Sequence, residues 1–106
     1  MLGVDLIFIP EFNKQLKLGG NAFIAKTFNK NELKSKSIEH LAGVWAAKEA
    51  VFKASGIELS SWLDIKITYN RVGKPSAKLN DEHFEISISH HGEYVVAVAI
   101  GAHNDV

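Results

Sequence analysis

The chain has 106 residues, 46% of them hydrophobic and 23% charged, with no cysteine and a formal net charge of zero. That length suits a single domain (1–106) with one core, and the lack of cysteine excludes both a disulfide framework and a thiolate metal site. No apolar run approaches the roughly 20 residues of a membrane span, and the start, MLGVDLIFIPEF, has no basic leader and carries Asp5 in its apolar run, so neither a membrane partner nor a secretion signal is expected.

Residues 2–9 are apolar on both sides apart from Asp5, which reads as a buried strand that Pro10 ends. A short helix over 11–18 follows, Gly19-Gly20 breaks it, and NAFIAKTF continues for a helical turn or two. Asn29 with Glu32 three residues later gives a start resembling a capping box. SIEH then leads into LAGVWAAKEAVFKASG, a long predicted helix with Gly56 as its C-cap. This segment has no broad polar face: Leu41, Val44, Trp45, Val51, Phe52 and five alanines surround Lys48, Glu49 and Lys53. A helix apolar nearly all round is usually buried, and charges inside it must find partners.

Beyond Gly56 the pattern changes to a period of two. LDIKITYN sets Ile65, Ile67 and Tyr69 against Lys66 and Thr68, a half-exposed strand, and RVGKP reads as a turn. FEISISHHGEYVVAVAIGA reads as a hairpin turning around Gly92, with Ile86 and Ile88 facing one way and Ser87 and Ser89 the other. Helices early, strands late and one early strand that must join the later sheet predict an α+β fold. In it a mainly antiparallel sheet packs against a long buried helix and shorter N-terminal helices.

The neutral total hides an asymmetry. Residues 11–36 carry Lys14, Lys17, Lys26, Lys30, Lys34 and Lys36 against Glu11 and Glu32, whereas residues 81–105 hold five acidic residues and no Lys or Arg. A basic N-terminal face suits an anionic partner. Nucleic acid is not the expected one, because the spacing of Phe12, Phe23 and Phe28 fits helix packing better than base stacking.

Three groups of residues could do chemistry. Asp5 lies in a strand that reads as buried, Glu49 and Lys53 share a helix face with Trp45, and Ser87, Ser89, His90 and His91 end a strand beside a glycine turn. Each has a plainer reading: a helix cap, an i,i+4 ion pair worth tenths of a kcal/mol or so, ordinary turn residues. Together, two carboxylates on buried elements with no soft ligands favour an oxygen-bound cation such as Mg²⁺, held by Asp5 and Glu49. Lys53 and Lys74 can neutralise phosphate oxygens, and Ser89 and His90 can donate hydrogen bonds to them. Displacement at phosphorus fits such a set. Neither a P-loop nor a GxGxxG motif is present.

These same stretches resemble a known family, the holo-acyl-carrier-protein synthase type of phosphopantetheinyl transferase. GVDLIFI resembles its N-terminal strand with the metal-binding aspartate, FNKNEL the segment before its long helix, and AGVWAAKEAVFKASG its main signature. DIKITYNRVGKP and ISISHHGEYVVAVAI resemble its closing strands. Only SAKLNDEHFEI separates GKP from SISH, too short for the helix that many members place there. The resemblance implies transfer of the phosphopantetheine arm of coenzyme A to a serine of an apo acyl carrier protein, with Mg²⁺, in the cytoplasm. Asp5 and Glu49 would bind the metal and Lys53 would serve the phosphate or the proton transfer, with Glu49 ahead of Lys53 as the base. A homotrimer with active sites between subunits is implied, and the basic face acquires an acidic carrier as its use. The rival reading is a non-catalytic module of the same fold that holds an acidic protein or a nucleotide.

Overall fold

The computed structural model describes residues 1–101. Strand β1 (Leu2–Phe8) runs directly into helix α1 (Ile9–Thr27), because Pro10 fits a first helical turn, where no amide donor is needed. Gly20 adopts φ 58° and ψ −148°, outside the helical region, so α1 is two short arms meeting at the expected break. Asn29 and Glu32 open a 3₁₀ turn (Lys30–Leu33) in which the Glu32 carboxylate accepts the Asn29 amide at 2.7 Å. Helix α2 (Ile38–Ser55) begins at Ser37, whose hydroxyl accepts the His40 amide, and ends at Gly56 in the left-handed conformation at φ 67°.

A second 3₁₀ turn (Trp62–Asp64) leads into β2 (Ile65–Tyr69), β3 (Pro75–Leu79), β4 (Glu82–His91) and β5 (Tyr94–Gly101). Among the described residues they form one antiparallel sheet with β1, in the order β1-β5-β4-β3-β2. The expected α+β arrangement is thus found, with one addition. Strand β3 is not legible as a strand in the sequence, since Ala77 and Leu79 are its only buried residues and no alternating apolar run results.

Helix α2 crosses the inner face of the sheet. Ala42, Val44, Ala46, Ala47, Ala50 and Val51 are buried there, over Ile65, Ile67, Phe84, Ile86, Val95 and Ala97. Aromatic rings in edge contact run from α1 to the far side of α2: Phe12, Phe23, Trp45, Trp62 and Phe52, with successive centroids 6.5, 5.9, 4.7 and 5.6 Å apart. The expectation of a first strand buried on both sides is corrected. Gly3, Asp5 and Ile7 face α2, but Leu2, Val4, Leu6 and Phe8 lie on the opposite face and are exposed. Beside them on β5, Tyr94 and Ile100 are exposed too, and the Phe8 and Tyr94 rings pack at 5.1 Å. The sheet therefore has one covered side and one open side, which is apolar along β1 and β5.

Candidate active site

The period of two in β1 turns Asp5 inward, where it is 8% exposed. On α2, Glu49 and Lys53 are one turn apart and face this strand. The Lys53 ammonium donates to Asp5 Oδ1 at 2.9 Å and to the Val4 carbonyl at 3.1 Å. Lys53 therefore pairs with Asp5 rather than with Glu49, and Asp5 caps no helix. The second carboxylate oxygen, Asp5 Oδ2, is buried and accepts no hydrogen bond from the described residues. Burial raises the pKa of Glu49, and the neighbouring charge of Asp5 raises it further, against the opposing effect of Lys53. The hydrogen bond to Asp5 raises the pKa of Lys53, which keeps it a cation. A cavity of about 230 Å³ opens here, with Asp5 and Glu49 on one side, Trp45 and Phe12 as apolar walls, and Glu11 and Gln15 of α1 at its rim. Glu11 and Gln15 escaped the sequence reading; their only signal is placement in the first turns of the helix that follows β1.

The remaining predicted residues lie elsewhere. Gly73 and Pro75, the neighbours of Lys74, line a second cavity of about 260 Å³ together with His90, Gly43 and Tyr69. There the His90 ring donates from Nε2 to the Glu39 carbonyl at 3.4 Å, and Asn70 fixes the turn by accepting the Lys74 amide at 2.9 Å. Strands β1 and β3 are three places apart in the sheet, about 14 Å at the usual strand spacing. Ser89 is on neither side of this division. It pairs in register with Val96, on the open face, while its neighbour His90 points to the α2 side with Val95. One chain thus brings Asp5, Glu49 and Lys53 together, and puts His90 in a cavity lined by the residues that flank Lys74, but does not join the two groups.

Lys48 has a different fate from Glu49. It is fully buried and pairs with the equally buried Glu32 at 2.8 Å, while also donating to the Thr27 carbonyl at 2.8 Å and the Trp62 carbonyl at 3.1 Å. Burial lowers its pKa against the pull of Glu32. The Glu32 carboxylate in turn accepts the amides of Asn29 and Ile67. The sequence signalled both residues, one as a charge inside an apolar helix and one as a cap, without pairing them.

The model of the 4'-phosphopantetheinyl transferase superfamily matches residues 1–99. The chain belongs to that family. Among phosphopantetheinyl transferases it is similar to the holo-[acyl-carrier-protein] synthase of Nautilia profundicola, at 34% identity over 94% of this chain and 97% of the relative. It is also similar to that of a Sulfurovum species, at 37% identity over 92% of both chains. The crystal structure of the Helicobacter pylori holo-[acyl-carrier-protein] synthase in complex with coenzyme A superposes with a TM-score of 0.87 at 27% identity, over 96% of this chain and all of that one. The resemblance read from the signature stretches therefore holds across residues 1–99.

The inner site suits a divalent cation on its own geometry. A buried carboxylate oxygen without a donor is costly, and a hard cation would satisfy it. Glu49 offers a second oxygen donor, whose charged form is disfavoured by burial and by Asp5 and would be favoured by a cation. Among the described residues no group of three or more His, Cys, Asp or Glu side chains is placed to enclose a metal. Two carboxylates, with the rest of the shell left to water and substrate, match the habit of Mg²⁺ rather than that of a closed structural site. No helix among the described residues is long and apolar enough to cross a membrane.

Proposed function

We propose that this phosphopantetheinyl transferase moves the phosphopantetheine arm of coenzyme A to a serine hydroxyl of an apo acyl carrier protein, releasing adenosine bisphosphate. The observation that carries this reading is the unpartnered, buried Oδ2 of Asp5 beside Glu49 in an open cavity. Asp5 and Glu49 hold Mg²⁺, which when bound offsets charge on the diphosphate. Lys53, cationic and tied to Asp5 and Val4, fixes the Asp5 carboxylate and presents its half-exposed ammonium to phosphate oxygens. The serine oxygen bonds to phosphorus as the bond to the departing bisphosphate breaks, and the serine proton goes to a carboxylate. Glu49 is the better acceptor, since Lys53, tied to Asp5, stays protonated and has no lone pair to take the proton.

The separation of Lys74 and His90 from this centre supports a site shared between copies of the chain. The open apolar face of β1 and β5 supports the same reading, because large contiguous apolar patches mark association surfaces. A homotrimer packed through it would cover Leu2, Val4, Leu6 and Phe8 and bring Ser89 into the contact. Lys74, His90 and Ser89 would then hold coenzyme A phosphates beside a partner copy's carboxylates. Exposed Lys14 and Lys17 stand on α1, whose first turns rim the cavity, so an acidic carrier attracted there arrives next to the chemistry. These substrates place the reaction in the cytoplasm.

Incubation with apo carrier protein, coenzyme A and Mg²⁺ should add one phosphopantetheine mass to the carrier and consume coenzyme A. Carrier binding without that mass gain would favour the non-catalytic module and sink the transferase reading.

A further inference from the structure

Gly3 lies two residues before Asp5 on the inward side of β1, where α2 passes closest to the strand. A Cβ at this position would overlap the Ala50 carbonyl oxygen outright and sit 2.8 Å from the Ala54 amide nitrogen. Both are backbone atoms of α2 and cannot turn aside as a side-chain tip can. Only a residue without a side chain lets the helix approach to this distance. The two contacted residues, Ala50 and Ala54, directly follow Glu49 and Lys53, the two α2 residues of the inner site. At this separation the Lys53 ammonium reaches both the Val4 carbonyl, 3.1 Å away, and Asp5 Oδ1, 2.9 Å away. The charge of Asp5 is also felt by Glu49 there.

We infer that Gly3 is a positioning residue for the transfer: its missing side chain sets the spacing between β1 and α2 that presents Asp5 and Glu49 to one cation. This rests on the functional reading above, and acts through Asp5, Glu49 and Lys53 rather than by contact with substrate. Hydrogen bonds and ligand pairs tolerate tenths of an ångström, whereas a methyl group at Gly3 demands more than that from the helix backbone. Packing elsewhere in the core can relax by moving side chains; here strand and helix backbones must part, and the two carboxylates part with them.

The test compares Gly3→Ala with a control of matched unfolding midpoint, chosen from Ile65→Val and Ile65→Ala. Ile65 is buried on β2, at the far edge of the sheet from β1. Mg²⁺ affinity is measured by calorimetry without substrate, and transfer by steady-state kinetics. Gly3→Ala should weaken Mg²⁺ binding about 10-fold or more and lower kcat by about 10²-fold, the size of effect known for displaced supporting groups and reacting geometry. The control should stay within about 2-fold of wild type in both. Equal behaviour of the two variants overturns the inference and leaves Gly3 as packing alone. If Gly3→Ala does not fold, Ala50→Val, at the residue whose carbonyl meets Gly3, should give the same pattern in smaller measure; wild-type Mg²⁺ affinity in that variant overturns it equally. A wild-type protein that binds no Mg²⁺ and transfers nothing would overturn the functional reading itself, and this inference with it.

Discussion

Two consecutive residues of α2, Lys48 and Glu49, meet opposite treatments. Lys48 spends all three of its protons on Glu32, Thr27 and Trp62 with no solvent contact, and Glu32 is equally saturated. About 100° further round the helix, Glu49 faces a cavity, and the neighbouring Asp5 keeps one oxygen with no donor. A buried charge whose every valence is met inside the protein ties segments together: Lys48 joins the end of α1, the 3₁₀ turn at Glu32 and the turn at Trp62. A buried charge left incomplete keeps a place for something from outside. The difference answers why so apolar a helix carries charges at all, and it separates the scaffold from the site within two adjacent positions.

Breaking the scaffold side should have the largest effect. Lys48→Met leaves the Glu32 carboxylate buried without its cation and should cost about 3–5 kcal/mol of stability, read by urea unfolding. Adding Glu32→Gln removes the stranded charge, so the double variant should be more stable than Lys48→Met alone. A loss below about 1 kcal/mol for Lys48→Met would put the two sides of the helix on the same footing, against the contrast drawn from their geometry.

On the site side the expectation is reversed, with large losses of activity and little loss of fold. Asp5→Ala or Glu49→Ala should lower transfer by about 10³-fold while the unfolding midpoint stays near wild type. Full activity of Glu49→Ala at ordinary Mg²⁺ concentration would remove the metal assignment.

Glu49→Gln sharpens the contrast further. A carboxyl group whose folded pKa is raised lends stability that is fully present below the ordinary value of 4.5 and is lost as pH rises through the raised one. In metal-free protein at neutral pH the neutral glutamine escapes that loss, so Glu49→Gln should melt slightly higher than wild type, by about 2 °C after solvent screening is allowed for. The gain should vanish at acid pH, where wild-type Glu49 is itself neutral, and excess Mg²⁺ should reverse the order by stabilising only wild type. Thermal melts at two pH values with and without Mg²⁺ decide this.

The smallest effect belongs to the surface. Lys14→Glu with Lys17→Glu should lower kcat/KM for the carrier a few-fold at low salt and less at high salt, because screening shortens the reach of charge to about 8 Å at physiological ionic strength. Coenzyme A affinity should not change. An unaltered carrier term under both conditions would make this face of α1 plain solvated surface.

Much of the molecule is set by short-range sequence. The strand that holds Asp5, the long apolar run, the glycine that ends α2 and the Gly92 hairpin each act through neighbours a few residues away, so they are readable without the fold. The family, too, follows from stretches with fixed internal spacing. Distant pairings were decided only by the tertiary structure. Lys53 chose Asp5, 48 residues away, over the nearby Glu49, and Lys48 chose Glu32, because helix rotation and strand register determine which groups meet. Register likewise put Ser89 and His90 on opposite faces, and pairing with β4 made a strand of PSAKL, which has no strong pattern of its own. The open side of β1 belongs to the same class: its sequence reads as buried, and whether a residue is covered depends on what lies over the sheet, which no local pattern encodes.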